Sequence, residues 1–339
     1  MSAGKPSSAA VIGAGAWGTA LAGLLAGKGM AVKLWALEPE VTASVNQDHE
    51  NKLFLPGFKL PPTLTATGDL AEAVQGAPYV VLVAPSQHLR PVVRKISTGL
   101  APATVVVSAS KGIEKNSLAL MSEVLLDELP PELHGALCFL SGPSFAKEVA
   151  QEMPTSVTVA CENGRIARQV QELFHRPFFR AYTSYDIVGV ELGGALKNVI
   201  AIAAGALEGM GLGYNTQAGL VTRGLAEITR LGVRLGANPL TFAGLSGMGD
   251  LVLTCMGALS RNRTVGIRIG KGEKIGDILK DMRQVAEGVE TARSAWQLAQ
   301  REKVDMPVTE QVYRVLYEGK DVRQALSDLL ARALRAELE

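Results

Sequence analysis

The stretch "VIGAGAWG" puts Gly13, Gly15 and Gly18 in GxGxxG spacing between a β-branched run and the periodic segment "TALAGLLAGKG". No other feature restricts the folding of this chain as much. A strand that turns this sharply into a helix needs one glycine for the turn, one where a phosphate approaches the backbone, and one where helix and strand pack in contact. Strand, turn, helix and next strand follow in order, so the segment predicts a Rossmann-type dinucleotide-binding unit rather than a merely glycine-rich turn. Glu38, twenty residues past Gly18 in "VKLWALEPE", is either placed to bond the ribose 2′-hydroxyl of NAD or lies on an exposed loop. Lys28 and Lys33 are near enough in sequence to keep NADP open.

The rest of the first half repeats the theme. "MAVKLWA", "YVVLVAP", "TVVVSASKG" and "ALCFLSGP" read as buried strands at helix-sized intervals, a parallel α/β pattern in which "YVVLVAP" and "TVVVSASKG" are the third and fourth strands. "TSVTVAC" and "FRAYTS" extend the sheet. From about Ile187 the apolar residues recur at three- and four-residue spacing, and Gly, Asn and Pro punctuate a series of helices. The expected architecture is α/β: residues 1–8 a disordered leader, 9–187 an N-terminal Rossmann-type doubly wound sheet, 188–339 an all-α domain.

Composition narrows the partners. A net charge of +1 with 20% charged residues gives no electrostatic basis for nucleic acid or a membrane surface, so any anion must be bound locally. Three cysteines without CxxC spacing argue against a disulfide framework and for a reducing compartment, and four scattered histidines make no metal site. Residues 6–27 carry no charge, but their glycines and the early Lys28 and Lys33 oppose stable membrane insertion. The expectation is a cytoplasmic protein that assembles as a homodimer.

Chemistry is expected beyond the carboxyl ends of the strands. Lys111 in "SASKG" is there a candidate ligand for an oxygen or an ordinary loop lysine, and Ser141, Gly142 and Ser144 in "SGPSFAKEV" offer donors to an anion. In the helical half, "GLSGMGDLVLTC" contains a buried-aspartate candidate, Asp250, and Ser260, Arg261, Asn262 and Arg263 form a cluster suited either to phosphate or to helix capping. Lys197 and Asn198 interrupt the otherwise apolar helix "ELGGALKNVIAIAAG". Lys197 either snorkels to water or is tuned by burial in its apolar setting for proton transfer. Gly193 and Gly194 beside it predict close approach to a strand edge or the cofactor.

Taken in order, "GAGAWGTALA", "NKLFLPG", "SASKGI", "SGPSFAKEVA", "ELGGALKNVIAIAAG", "GLSGMGDLVLTC", "SRNRTVG" and "VAEGVETA" resemble NAD(P)-dependent glycerol-3-phosphate dehydrogenase of the bacterial type, nearly end to end. The resemblance implies reversible hydride transfer from NAD(H) or NADP(H) that interconverts dihydroxyacetone phosphate and sn-glycerol 3-phosphate for phospholipid synthesis. It implies Lys197 as the catalytic acid/base, and Lys111, Gly142, Ser144, Asp250, Ser260, Arg261 and Asn262 around the substrate. It also implies Ala16, Trp17, Lys111, Ala146, Arg261, Val285 and Glu287 as cofactor contacts, beside Gly13, Gly15, Gly18 and Glu38. Where the family often carries arginine or histidine after "LW", this chain has "ALEPE", a departure that bears on NADP preference. The rivals are a β-hydroxyacid or 6-phosphogluconate-type dehydrogenase, and an NAD(H)-sensing protein without catalysis.

Overall fold

The computed structural model describes residues 8–282, 286–334 and 336–337. Its first half runs β1 (Ser8–Ile12), α1 (Ala16–Ala26), β2 (Ala31–Trp35), α2 (Pro39–Asp48), β3 (Leu64–Thr67), α3 (Leu70–Val74), β4 (Tyr79–Leu82), α4 (Ser86–Ile96), β5 (Val105–Ser108), α5 (Met121–Glu128), β6 (Leu137–Ser141), α6 (Ala146–Ala150), β7 (Thr155–Ala160), α7 (Gly164–Phe174) and β8 (Phe179–Ser184). Ser8, assigned above to the leader, is the first residue of β1, paired with Ala31 of β2.

One sheet takes all eight strands in the order β3-β2-β1-β4-β5-β6-β7-β8. Progression outward from β1 goes one way through β2 and β3 and the other way through β4, β5 and β6, so the order reverses between β1 and β4. In an open parallel sheet this reversal leaves a crevice at the strands' carboxyl ends. The central strands are apolar on both faces because separate cores cover each: Val11, Val81 and Val107 face one, and Ala10, Val80 and Val106 the other. The strand at "LTAT", β3, was not among the predicted strands, which makes β4 and β5 the fourth and fifth in the chain rather than the third and fourth. The pairing of β6 with β7 is antiparallel, so the last two strands run against the rest.

After Ser184 the chain is helical: α8 (Ile187–Gly209), α9 (Tyr214–Arg234), α10 (Pro239–Phe242), α11 (Asp250–Met256), α12 (Arg261–Gly270), α13 (Ile275–Asp281), α14 (Glu287–Glu302), α15 (Pro307–Tyr317) and α16 (Val322–Leu330). Among the described residues, two helical stretches, Ile187–Gly209 and Pro239–Met256, are long and apolar enough to cross a membrane; the first is 83% buried among its neighbours, as a core helix is. Around α8 pack α9, α11, α12, α14 and α15, and its early turns also touch β6.

Glycines set the distance between α8 and α12. A β-carbon at Gly205 would lie 2.1 Å from the Arg263 carbonyl oxygen, and one at Gly266 would lie 2.0 Å from that of Ile202. The backbones are in direct contact there, which fixes the start of α12 relative to Lys197. Gly266→Ala is expected to destabilise the fold by about 1–3 kcal/mol, the usual cost of overpacking. Urea unfolding checks this, and an unchanged midpoint would mean that the helices are not locked at that point.

Candidate active site

The turn from β1 into α1 separates the roles of its three glycines. Gly13 has φ +118°, and a β-carbon there would press within 2.9 Å of the Val83 backbone; one at Gly18 would fall 1.8 Å from the Gly13 carbonyl oxygen. Both are demanded by the fold itself. At Gly15 a β-carbon would meet nothing within 4 Å, so this glycine faces open space. No side chain caps α1 and no acid occupies its first turn, Ala16 to Gly18, so its leading N–H groups and positive helix end suit a pyrophosphate. These residues fit a dinucleotide. The turn is braced from below by Asn51, fully buried, whose amide donates to the Ala14 carbonyl (2.7 Å) and to Thr19 Oγ1 (2.8 Å) while its oxygen accepts the Phe54 N–H (3.0 Å).

Glu38 stands at the N-cap position of α2, three residues beyond β2, without a side-chain capping bond. Lys33 pairs with Glu72, and Lys28 donates to the carbonyls of Glu172 and Leu173 at the end of α7. Both lysines therefore have structural work away from Glu38.

Beyond the ends of β5 and β6 a buried carboxylate of the helical half binds a lysine from the sheet half. Asp250, fully buried at the start of α11, accepts from Lys197 Nζ at 2.5 Å on one oxygen and from Lys111 Nζ at 2.7 Å on the other. Lys197 also donates to Thr254 Oγ1 (2.9 Å), one turn along α11. Lys111 reaches this point from the loop after β5 and is also 3.3 Å from the Gly142 carbonyl, which accepts from Ser144 Oγ at 2.9 Å. Burial lowers the Lys197 ammonium to about 8 from its ordinary value, with the positive charge of Lys111 adding to the shift and Asp250 opposing it. Asp250 feels the same burial in the opposite sense, but the two ammonium groups outweigh it and hold the carboxyl below its usual range. Lys197 does not snorkel; it is 8% exposed, and its ammonium donates to Asp250 and Thr254 of α11.

Gly194 lies where a β-carbon would be 2.5 Å from Ser141 Oγ at the end of β6 and 3.5 Å from the Lys111 stem, in keeping with the expected approach to a strand edge. Gly193 turns the other way, toward the Ser246 carbonyl of the turn before α11, so its close contact is within the helical half.

The Ser260 to Arg263 cluster serves two purposes. Ser260 caps α12, accepting the Arg263 N–H at 3.2 Å; Arg263 pairs with Glu208; and Asn262 Oδ1 accepts the Gly288 N–H at 2.9 Å. Capping thus explains part of the motif, and Arg261 lies exposed on the first turn of α12. Burial raises the carboxyl of Glu287 at the start of α14, and the charge of Arg261 works against that rise. Ala146 opens α6, half-buried against the core that also takes Ala16 and Trp17. Val285 lies outside the described residues.

Two family models span most of the chain: NAD-dependent glycerol-3-phosphate dehydrogenase N-terminus over residues 8–167 and its C-terminus over 186–327. The chain belongs to the NAD-dependent glycerol-3-phosphate dehydrogenase family. It is an NAD(P)-dependent oxidoreductase. Glycerol-3-phosphate dehydrogenase [NAD(P)+] of Geobacter metallireducens is 57% identical over 96% of this chain and 98% of its own length. Among solved structures, glycerol-3-phosphate dehydrogenase from Coxiella burnetii is 38% identical with TM-score 0.92, covering 96% of this chain and 99% of that one. The Saccharomyces cerevisiae enzyme is 30% identical with TM-score 0.81, covering 97% and 100%. A ketopantoate reductase from Ralstonia eutropha, at 16% identity and TM-score 0.60, shares the fold alone.

Within this glycerol-3-phosphate dehydrogenase family member, the sequence reading missed two supports. Thr254 follows Asp250 by one helical turn, a spacing that puts both on one face and was there to be used. Asn51 opens the "NKLFLPG" segment, but nothing local indicates that its amide turns toward Ala14. The roles of the glycines give a test: Gly18→Ala is expected to destabilise the fold by about 1–3 kcal/mol, whereas Gly15→Ala should leave the melting temperature unchanged and weaken NADH binding. Paired melting and fluorescence titrations check both, and equal loss of stability in the two variants would contradict the assignment.

Proposed function

We propose that the chain reduces dihydroxyacetone phosphate to sn-glycerol 3-phosphate and runs the reverse oxidation, with Lys197 as the group that exchanges the proton. The observation that carries this reading is the buried bridge from Lys197 through Asp250 to Lys111, joining the helical half to the carboxyl end of β5. When bound, the nicotinamide supplies or takes up a hydride at carbon 2. A ketone oxygen gaining negative charge needs a proton donor, which the Lys197 ammonium provides; in the oxidation the neutral amine accepts the hydroxyl proton. A pKa lowered to about 8 makes both states accessible near neutral pH.

Lys111 supplies positive charge at the substrate oxygens, with Gly142 and Ser144 forming the adjoining wall. Arg261, with the amide of Asn262 and the hydroxyl of Ser260, grips the phosphate, since a guanidinium meets a phosphate bidentately. The cofactor contacts are the Gly13 to Gly18 turn, Ala146, Arg261, Val285 and Glu287. Glu38, with no arginine at Ala36 or Leu37, favours NAD over NADP. Residues 8–187 act as the dinucleotide-binding domain and 188–339 as the substrate domain of a cytoplasmic homodimer that supplies glycerol 3-phosphate for phospholipid synthesis.

Initial rates with dihydroxyacetone phosphate and NADH or NADPH in turn are the first test. Turnover is expected with both and higher specificity for NADH; turnover of a hydroxyacid, with none of dihydroxyacetone phosphate, would overturn the reading. The pH profile has a defined sign: reduction should be lost as pH rises through about 8, and oxidation gained through the same inflection. Lys197→Ala is expected to lower kcat by about 10²–10⁴ with NADH affinity retained, and an active variant would exclude Lys197. Arg261→Ala should raise the KM for the phosphorylated substrate by roughly tenfold or more, as loss of a charged hydrogen bond implies; an unchanged KM removes it from the phosphate site.

A further inference from the structure

A lysine on a flexible four-carbon stem is placed only as well as the backbone beneath it. Lys111 reaches across from the end of β5 to Asp250, and the chain that follows is held by α4. Gln87, the second residue of that helix, donates from Nε2 to the Ile113 carbonyl at 2.8 Å and accepts the Lys115 N–H on Oε1 at 2.9 Å. Beside it, Ser86 packs against Gly112 so closely that a β-carbon there would lie 2.3 Å from Ser86 Oγ. One turn along α4, Arg90 binds Glu114 through two N–H groups, each at 2.9 Å. Ile113 itself is fully buried in the core of the helical half, and Lys115 pairs with Glu290 of α14 at 2.5 Å.

We propose that Gln87 is a positioning residue for Lys111: its side-chain amide locks the backbone at 113 and 115 and so fixes where the Lys111 ammonium meets Asp250. A carboxamide suits this role because it donates and accepts at once, whereas a carboxylate or an ammonium would satisfy only one of the two backbone groups. The position also follows from the topology. β4 and β5 are neighbours in the sheet, so the first turn of the helix after β4 lies against the loop after β5. The inference rests on the reading that Lys111 and Lys197 act on the substrate.

The test uses a readout that loss of stability alone does not move. Facing the Lys197 amine are Asp250, Thr254 and Cys255 of α11, Lys111 from the sheet, and Glu287 of α14, whose carboxyl feels the Lys197 charge. Of these, Lys111 is the cation that helps hold Lys197 down. Gln87→Met keeps the length of the side chain and removes both hydrogen bonds. In the intact enzyme it is expected to lower kcat/KM for dihydroxyacetone phosphate by at least about tenfold, as a small misplacement of a reacting group does, and to move the alkaline inflection upward from about 8. NADH affinity should be retained. Lys111→Met should shift the inflection in the same direction, and adding Gln87→Met to it should change little more.

If Lys111→Met is impaired but Gln87→Met keeps the wild-type rate and inflection, or if the two effects simply add, the positioning role is wrong. A fall in melting temperature with no movement of the inflection would likewise reduce Gln87 to a structural residue. If Lys111→Met is itself unimpaired, the reading of Lys111 fails first, and this inference with it.

Discussion

One buried carboxylate, Asp250, is shared by two ammonium groups that arrive from opposite halves of the molecule, and the rest of the site is arranged around that triplet. Taking either lysine out of water alone would favour its neutral form, and a buried charge is tolerated only when it is paired and hydrogen-bonded. Asp250 gives each ammonium a partner, yet one anion does not cancel two cations. Burial therefore lowers Lys197 to about 8, with the charge of Lys111 adding to the shift and Asp250 only partly opposing it, and the surplus positive charge suits a phosphorylated substrate. Truncating Asp250 would leave both ammonium groups without their shared anion, so the three residues function as a unit.

The backbone makes this meeting possible. Gly194 allows α8 to lie against Ser141 and the Lys111 stem, Gly193 allows it to lie against the turn that leads into Asp250, and Gly205 and Gly266 bring α12 into contact on a further face. At each point a methyl group would separate elements whose side chains have to converge. Arg261 at the start of α12 and Lys197 on α8 are therefore positioned by the same helix-to-helix contact. On the sheet side, the reversal of strand order between β1 and β4 sets the crevice, and Asn51 braces the turn that opens onto it.

Strands buried on both faces were legible because only an apolar run suits them, and the runs at β1, β4, β5 and β6 stand out for that reason. The missed strand, β3, is four residues at a sheet edge, and its alternation of Leu64 and Ala66 with threonines does not separate it from a loop. The antiparallel reversal at β7 depends on how α6 and its loop return the chain, which no local pattern encodes. In the site, the glycine spacing and the lone amine in an apolar helix carried real information, since each is costly without a structural or chemical reason. Ser260 to Arg263 was legible only as a choice between capping and phosphate, and the structure divides the cluster between the two. Asn51 and Gln87 were hidden because both act on backbone groups distant in sequence, and a side-chain amide advertises no particular partner.

The most direct measurement is the titration of the Lys197 ammonium itself, followed by heteronuclear NMR of lysine-labelled protein and assigned by loss of its signal in Lys197→Arg. The account predicts a titration near 8 in the native protein, moving lower still in Asp250→Asn, where the opposing anion is removed. A titration at the ordinary lysine value of about 10.4, or one indifferent to Asp250, would contradict it.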